Sequence, residues 1–260
     1  MQSLSLAKRK FFARLQEKKF RDAEHLFVAE GLRTVRELLQ HPRSQNNLVA
    51  LLITTAQAET FSIPQSFTTR SFAASAADLR AICDTSEPQG IVGIFRQLVV
   101  EKEHVFASVA TKTRALIIAL DGLQDPGNVG TVIRTAAWFG IDAMIASAAT
   151  ADFFNPKTVR AAAGSLYALP LIRSTSLAND LATLKLSGFT FYAAALEGMD
   201  VRGVRPAEKS LVMIGNEGNG IAAELLGAAD VKIKIEGDRE AVESLNAAVA
   251  AGILMSLFAK

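Results

Sequence analysis

From Ala115 onward the sequence repeats one unit: a short apolar run, a turn, and a segment of helical character. The runs ALIIAL, AMIAS, ALPLI, FTFYAAAL, SLVMIG and VKIKIE read as strands. Helices are expected around Val132 to Trp138, Lys157 to Ala163, Leu177 to Leu184, Ala222 to Leu226 and Leu245 to Phe258. Strands that alternate with helices in this way call for an α/β fold, a mostly parallel sheet covered by helices on both faces. Ligands of such sheets bind beyond the carboxyl ends of the strands, so the loops that follow strands are the places to look for function.

The preceding sequence is a smaller α/β region. It holds a basic helix, a strand at Leu26 to Ala29, a helix at Leu32 to Leu39, the strand LVALLIT, the helix AASAADLRAI and, after SEPQG, the strand IVGIF. The stretch QLVVEKEHVFASVATKTRA is less regular and more charged, which sets the expected boundaries: a first domain over 1–99, a linker over 100–113 and a second domain over 114–260. Half of the 260 residues are hydrophobic, enough for a substantial core.

Composition narrows the chemistry. With 28 Lys and Arg against 26 Asp and Glu, overall charge gives no strong case for a nucleic-acid partner, and any basic surface must be local. The single cysteine, Cys83, excludes an internal disulfide framework and the cysteine clusters of zinc or iron–sulfur sites. His25, His41 and His104 lie far apart without ligand spacing, so no metal is expected. No apolar run reaches the ~18 residues of a membrane span. The start, MQSLSLAKRKFFARLQEKKFR, is basic and poor in acids, as transit peptides are, but it lacks a secretory apolar stretch and merges into patterned sequence. A cytoplasmic protein with a basic first helix is the expectation.

Three loops follow strands. In QDPGNVG, Asp125, Pro126 and Gly127 are turn formers, and Asn128 can cap a helix beginning near Val129 or face a ligand such as an RNA phosphate. Arg134, on a helix of Val, Ile, Ala, Trp and Phe, needs a partner: a salt bridge to Glu217 or Asp121, or a bound anion. In GNEGNG, three glycines in six residues let a ligand approach the main chain, so Gly215, Asn216, Gly218 and Gly220 can read a planar base through the backbone. An ordinary turn needs fewer glycines and leaves Glu217 unexplained. The third loop, EGDREAVES, leads to Ser244 and Asn246, either of which can cap the alanine-rich last helix.

Taken in order, NVGTVIRTAAWFG with its preceding PG, VMIGNEGNGI and ESLNAAVAAGIL resemble the three motifs of the SpoU/TrmH family of RNA ribose 2'-O-methyltransferases, within the SPOUT class. KKFRDAEHLFVAEGLRTVRELL and SEPQGIVGIF resemble the family's RNA-binding extension, so the likeness covers almost the whole chain. It implies a carboxyl-terminal SPOUT domain tied into a deep trefoil knot, a path rare among proteins, after an L30e-like substrate-binding domain. It also implies an S-adenosylmethionine pocket made by the second and third loops, and a homodimer with the site near the subunit interface.

Carried over residue by residue, the family's functional positions fall on Asn128, Arg134, Glu217, Ser244 and Asn246. Cofactor contacts fall on Gly215, Ile235 and Leu245, with the rest of GNEGNG and Asn246 beside them. Where family members often carry Ile-Pro-Met after the last strand, this chain has Ile235, Glu236 and Gly237, which puts the rim of the adenine pocket in question. A guanidinium resists deprotonation and repels a sulfonium, so Arg134 is expected on the RNA side, holding phosphate and stabilising charge on the 2'-oxygen. Asn128 would orient the ribose or Arg134, Glu217 would fix that pair, and Ser244 with Asn246 would complete the polar wall. Lys8, Arg9, Lys10, Arg14, Lys18, Lys19 and Arg21 form either a solvated helix face or a dock for the RNA backbone.

Ribosomal RNA is the favoured substrate because of the additional domain. Transfer RNA, or a catalytically silent RNA-binding protein of the same fold, are the alternatives. A nicotinamide oxidoreductase lacks its glycine fingerprint here.

Overall fold

The computed structural model describes residues 1–238 and 240–259, with the backbone alone at Ser44 and Gln45. The chain groups into two compact units. One comprises residues 1–99 with 152–167, the other residues 100–151 with 168–260. The expected second domain is therefore not one unbroken span: residues 152–167 belong with the amino-terminal unit.

In the first unit the strands are β1 (Gln2–Ser3), β2 (Leu26–Glu30), β3 (Leu48–Ile53), β4 (Ser71–Ala73) and β5 (Ile91–Arg96). Helices α1 (Leu6–Ala13), α2 (Lys18–Glu24), α3 (Leu32–Gln40), α4 (Ser44–Asn47), α5 (Thr55–Ala58) and α6 (Ala76–Ile82) connect them. The sheet order is β1-β4-β3-β5-β2, with β5 antiparallel to both of its neighbours. Leu15, Val28, Leu52, Ile82, Val92 and Ile94 fill one core. Local signals set the ends of the helices. Ser5 caps α1, and Ser75 with Asp78 forms a reciprocal capping box on α6.

The second unit begins with α7 (Lys102–Ala110), inside the stretch expected as a linker. Charge hid its pattern: Phe106 and Val109 are buried in the core while Lys102, Glu103 and His104 lie toward the outside. There follow β6 (Ala115–Leu120), α8 (Pro126–Trp138) and β7 (Ala143–Ala146). The chain then enters the first unit as α9 (Pro156–Ala162) and returns as β8 (Leu171–Arg173), α10 (Leu177–Leu186), β9 (Thr190–Asp200), β10 (Lys209–Ile214), α11 (Ala223–Ala228), β11 (Val231–Lys234) and α12 (Ala247–Phe258).

The six strands lie in the order β11-β9-β10-β6-β7-β8, and every pairing is parallel. All of β6 is buried, as a parallel strand covered on both faces should be. From β6 the chain builds outward through β7 and β8, then crosses to lay down β9 and insert β10 beside β6. Connections on the two sides of the β6–β10 pair thus run opposite ways, which opens a crevice at the carboxyl ends of these two strands. The loops QDPGNVG and GNEGNG flank that crevice. After β11, at the sheet edge, α12 returns to pack on α8 and β10.

Candidate active site

The first loop begins at the end of β6, where Gly122 takes a positive φ of 69°. This residue is tightly held. Its N–H donates to Ser147 Oγ and Thr150 Oγ1 at 3.0 and 3.1 Å, and its carbonyl accepts the side-chain amide of Asn216 at 2.8 Å. Asp121 extends the β6–β10 ladder through its N–H, and its carboxylate accepts the N–H of Ala222 at 2.9 Å.

Helix α8 starts at Pro126, three residues before the expected start at Val129, and its cap is Asp125 rather than Asn128. The Asp125 carboxylate accepts the N–H of Asn128 at 2.8 Å, and Pro126 occupies the first turn, where no amide hydrogen is needed. The side chain of Asn128 is thereby left for other work.

That work is a line of three side chains, one from each loop. The Asn246 carbonyl oxygen accepts from the N–H groups of Ala248 and Val249 at 2.9 and 3.2 Å, capping α12. Its amide must therefore point away, and it donates to the Asn128 carbonyl oxygen at 3.1 Å. The amide of Asn128 then donates to Glu217 Oε1 at 2.8 Å. Each orientation follows from the one before it, so the helix terminus dictates that Glu217 receives a hydrogen bond. A helix N-terminus at one end and a carboxylate at the other polarise the line in a single sense.

Arg134 does not join it. The rise of an α-helix puts it ~9 Å along α8 from Asn128. Its side chain is exposed and makes no hydrogen bond or ion pair with any described residue. Both salt-bridge partners suggested by the sequence are engaged elsewhere, Glu217 with Asn128 and Asp121 with Ala222. Ser244 is likewise exposed and unbonded among the described residues.

The second loop closes on itself. Asn216 and Gly220 exchange both backbone hydrogen bonds, at 2.9 and 3.0 Å. A Cβ on Gly215 would stand 2.2 Å from the Gly220 carbonyl carbon, so glycine is obligatory there. The outer side is bare: a Cβ on Gly220 would meet nothing within 4 Å. A flat heterocycle can approach such a backbone, and the loop thus fits an adenosine group. Ile235 is half-buried after β11, and Leu245 is 45 % exposed.

Two contributions escaped the sequence. Asp125 was readable as a turn former but not as the cap that frees Asn128. The second is in β9, which runs past the expected FTFYAAAL. It pairs with β11 at Tyr192 and Ala193 and again at Met199 and Asp200, so residues 194–198 leave that ladder at the strand's carboxyl end. Leu196, 52 % exposed, stands in this excursion and adds apolar surface at the loop end of the sheet.

The basic amino-terminal residues divide. Arg21 is a correction, because it is 2 % exposed and cannot meet a phosphate. Its guanidinium pairs with Asp152 at 2.8 Å and donates to the carbonyls of Leu15 and Gln16, which compensate a charge that burial would otherwise penalise. Arg9 pairs with Asp78, Lys18 with Asp22 and Lys19 with Glu17. Lys8 and Arg14 lie over the rings of Phe72 and Phe20 at 3.9 and 3.8 Å. Lys10 is exposed without a partner among the described residues. Among those residues no group of three His, Cys, Asp or Glu can hold a metal, and no helix is long and apolar enough to cross a membrane.

A six-stranded parallel sheet with three polar loops gathered at its switch point, in one chain with a mixed α/β unit, defines an open α/β protein with a ligand crevice at its strand ends rather than one activity. Comparison with known proteins narrows it. Residues 115–256 match the SpoU rRNA Methylase family, and residues 7–93 match the MRM3-like substrate binding domain. The chain is 34 % identical over 258 residues to the 23S rRNA (guanosine(2553)-2'-O)-methyltransferase RlmP of Bacillus subtilis (strain 168), covering 98 % of this chain and 97 % of that one. Among solved structures, an AdoMet-bound rRNA methyltransferase from Sinorhizobium meliloti superposes with a TM-score of 0.82 at 29 % identity, covering 99 % and 95 % of the two chains. A putative RNA methyltransferase of the TrmH family from Porphyromonas gingivalis gives 0.81 at 30 % identity, with 98 % of each chain covered. The chain belongs to the SpoU rRNA methylase family.

Proposed function

We propose that this protein transfers a methyl group from S-adenosylmethionine to a ribose 2'-hydroxyl of ribosomal RNA. The observation that carries the reading is the Glu217–Asn128–Asn246 line, which joins the three loops at the β6–β10 crevice with Arg134 free beside it. The relatives named above act on or are named for RNA, and one was solved with the cofactor bound, which supports both substrate and cofactor.

The residues divide the labour. The backbone of Gly215 to Gly220, with Ile235 and Leu245, would hold the adenosine. S-adenosylmethionine, when bound, would supply an electrophilic methyl group to the ribose 2'-oxygen, with S-adenosylhomocysteine as the other product and the hydroxyl proton passing to solvent water. Asn128, fixed at both ends of its amide, orients the ribose. Arg134 holds an RNA phosphate and stabilises the negative charge that grows on the 2'-oxygen. Ser244 closes the polar wall, and Lys10, with the paired cations around it, faces the RNA backbone.

The reading extends to the path of the chain and to assembly. The return of α12 from the edge strand β11 to α8 and β10 is consistent with the knotted path of the family. Trp138 on α8, 84 % exposed, and Val249 and Leu257 on α12, 52 % and 37 % exposed, form apolar surface on two helices that pack together. A second copy of the chain would cover it. The compartment proposed for this substrate is the cytoplasm.

The test is to incubate the purified protein with methyl-labelled cofactor and total RNA from cells lacking the gene, then map the label. One 2'-O-methylated nucleotide, absent in the deletion and restored by the protein, is expected. Label on a base, label on transfer RNA alone, or no label overturns the proposal.

A further inference from the structure

We propose that the Asn216 side chain is a positioning group, which sets Glu217 and the second loop against the first, rather than a side-chain contact for the cofactor. Its side chain is spent within the protein. The carbonyl oxygen accepts the N–H groups of Gly218 and Asn219 at 2.8 and 3.0 Å, making a turn over the next two residues. The amide donates to the Gly122 carbonyl at 2.8 Å, reaching 94 residues back along the chain.

The partner is itself immobilised. The Gly122 N–H is held by Ser147 and Thr150, and Thr150 also donates to the Leu120 carbonyl at 3.0 Å. Next to it, Asp121 holds the far end of the second loop at the Ala222 N–H. The Asp121–Gly122 dipeptide is thus a hub to which the loop is tied at both ends, at Asn216 and at Ala222. Glu217 is the residue between these ties that reaches Asn128. Turning the Asn216 side chain would release the Gly218 and Asn219 N–H groups and the tie to Gly122, leaving only the backbone pair with Gly220 and the Asp121 tie, and would carry the Glu217 carboxylate away from Asn128.

This inference rests on the methyl-transfer reading of the same site, and its test separates the two. Asn216→Asp keeps the acceptor for the loop amides and loses the donor to Gly122; Asn216→Ser, which is too short to reach Gly122, serves if the first variant does not fold. The cofactor-free, full-length protein is examined first, by the side-chain amide resonance of Asn128. In Asn216→Asp that resonance should move to where Glu217→Ala puts it, whether or not the wild-type protein proves to be a methyltransferase. Turnover is then measured with saturating cofactor. A loss on the order of tenfold is expected for Asn216→Asp, the scale of one hydrogen bond to a fixed partner. In a Glu217→Ala background the same substitution should cost nothing further, because its effect passes through Glu217. An unmoved Asn128 resonance, or losses in turnover that multiply in the double variant, overturns the proposal. An inactive wild-type protein would instead overturn the methyl-transfer reading and leave the resonance to decide this one.

Discussion

Asn128→Asp is the sharpest perturbation of the polarised line, because it changes one atom group and reverses the demand on Glu217. In the wild type the Asn128 amide donates to Glu217 Oε1 at 2.8 Å. The introduced carboxylate can still accept from Asn246 but has nothing to donate. The loss of a hydrogen bond to a charged acceptor is worth about 1.5–3 kcal/mol. Two carboxylates ~4 Å apart add repulsion of about 1 kcal/mol in water and up to about 4 kcal/mol near a protein surface. The site is open to solvent, so the lower part of that range applies, and the sum is about 3 kcal/mol. If the line must be formed for the ribose to be oriented, turnover falls on the order of a hundredfold at neutral pH. Acid should relieve it. Once the pair takes up one proton, an O–H donor again links the two groups, and the first proton of a close carboxylate pair binds above the ordinary carboxylate range. Asn128→Ala has no such remedy. The assay is the ratio of initial rates, Asn128→Asp over Asn128→Ala, from pH 8 to 5 on one RNA substrate at saturating cofactor. The ratio should rise as the pH falls. A flat ratio, or an Asn128→Asp enzyme within threefold of wild type at pH 7.5, refutes the directed line.

Other residues give independent checks. Arg134→Ala should lower turnover about a hundredfold, the scale of one electrostatic interaction removed from the transition state, with cofactor affinity by calorimetry unchanged; Arg134→Lys should restore only part, since lysine lacks the planar fork. Asp152→Ala, which strands the buried Arg21 charge, should cost about 3–5 kcal/mol in denaturant unfolding. Asp78 is held below its usual carboxylate range by the Ser75 hydroxyl and N–H, then by Arg9, so its cap stabilises fully above the unfolded value of ~3.9 and the benefit disappears as pH falls through the folded one. Asp78→Ala should therefore lose about 1 kcal/mol at pH 7 and converge on wild type in strong acid, followed by thermal unfolding. Replacing Lys10, Lys18 and Lys19 with Gln should flatten the salt dependence of RNA binding, by a slope of roughly 0.7–0.9 for each phosphate that the protein no longer neutralises.

The parallel sheet was legible because the buried strands β6, β7 and β10 leave nearly uniform apolar runs, and the six strands alternate with helices. The gathering of the three loops was legible too, since loops that follow parallel strands meet at one end of the sheet. What the sequence hid is who satisfies whom. Asp125 and Asn128 are both good caps three residues apart, and only the register of Pro126 at the first turn decides between them. Arg21 looks like its basic neighbours until Asp152, 131 residues later, comes beside it. The excursion of residues 152–167 into the first unit is equally silent, because α9 has the same local pattern as a helix that stays with its own sheet.

The amide at position 128 has few chemical substitutes. The line needs one side chain that accepts from Asn246 and donates to Glu217 at the same time, held short enough that helix α8 fixes its aim. A serine hydroxyl can do both, but through one rotating atom that cannot span two groups on opposite sides. Glutamine carries the same groups on a longer stem, with another rotatable bond to be frozen at each encounter. Aspartate accepts twice and histidine cannot match the spacing of a primary amide. The Asp125 cap and Pro126 make this use of asparagine possible, because they satisfy the start of α8 without drawing on its side chain. The QDPGNVG turn is thus built to hold an amide still, and the glycines proposed to meet the cofactor lie in the loop tied to it from behind.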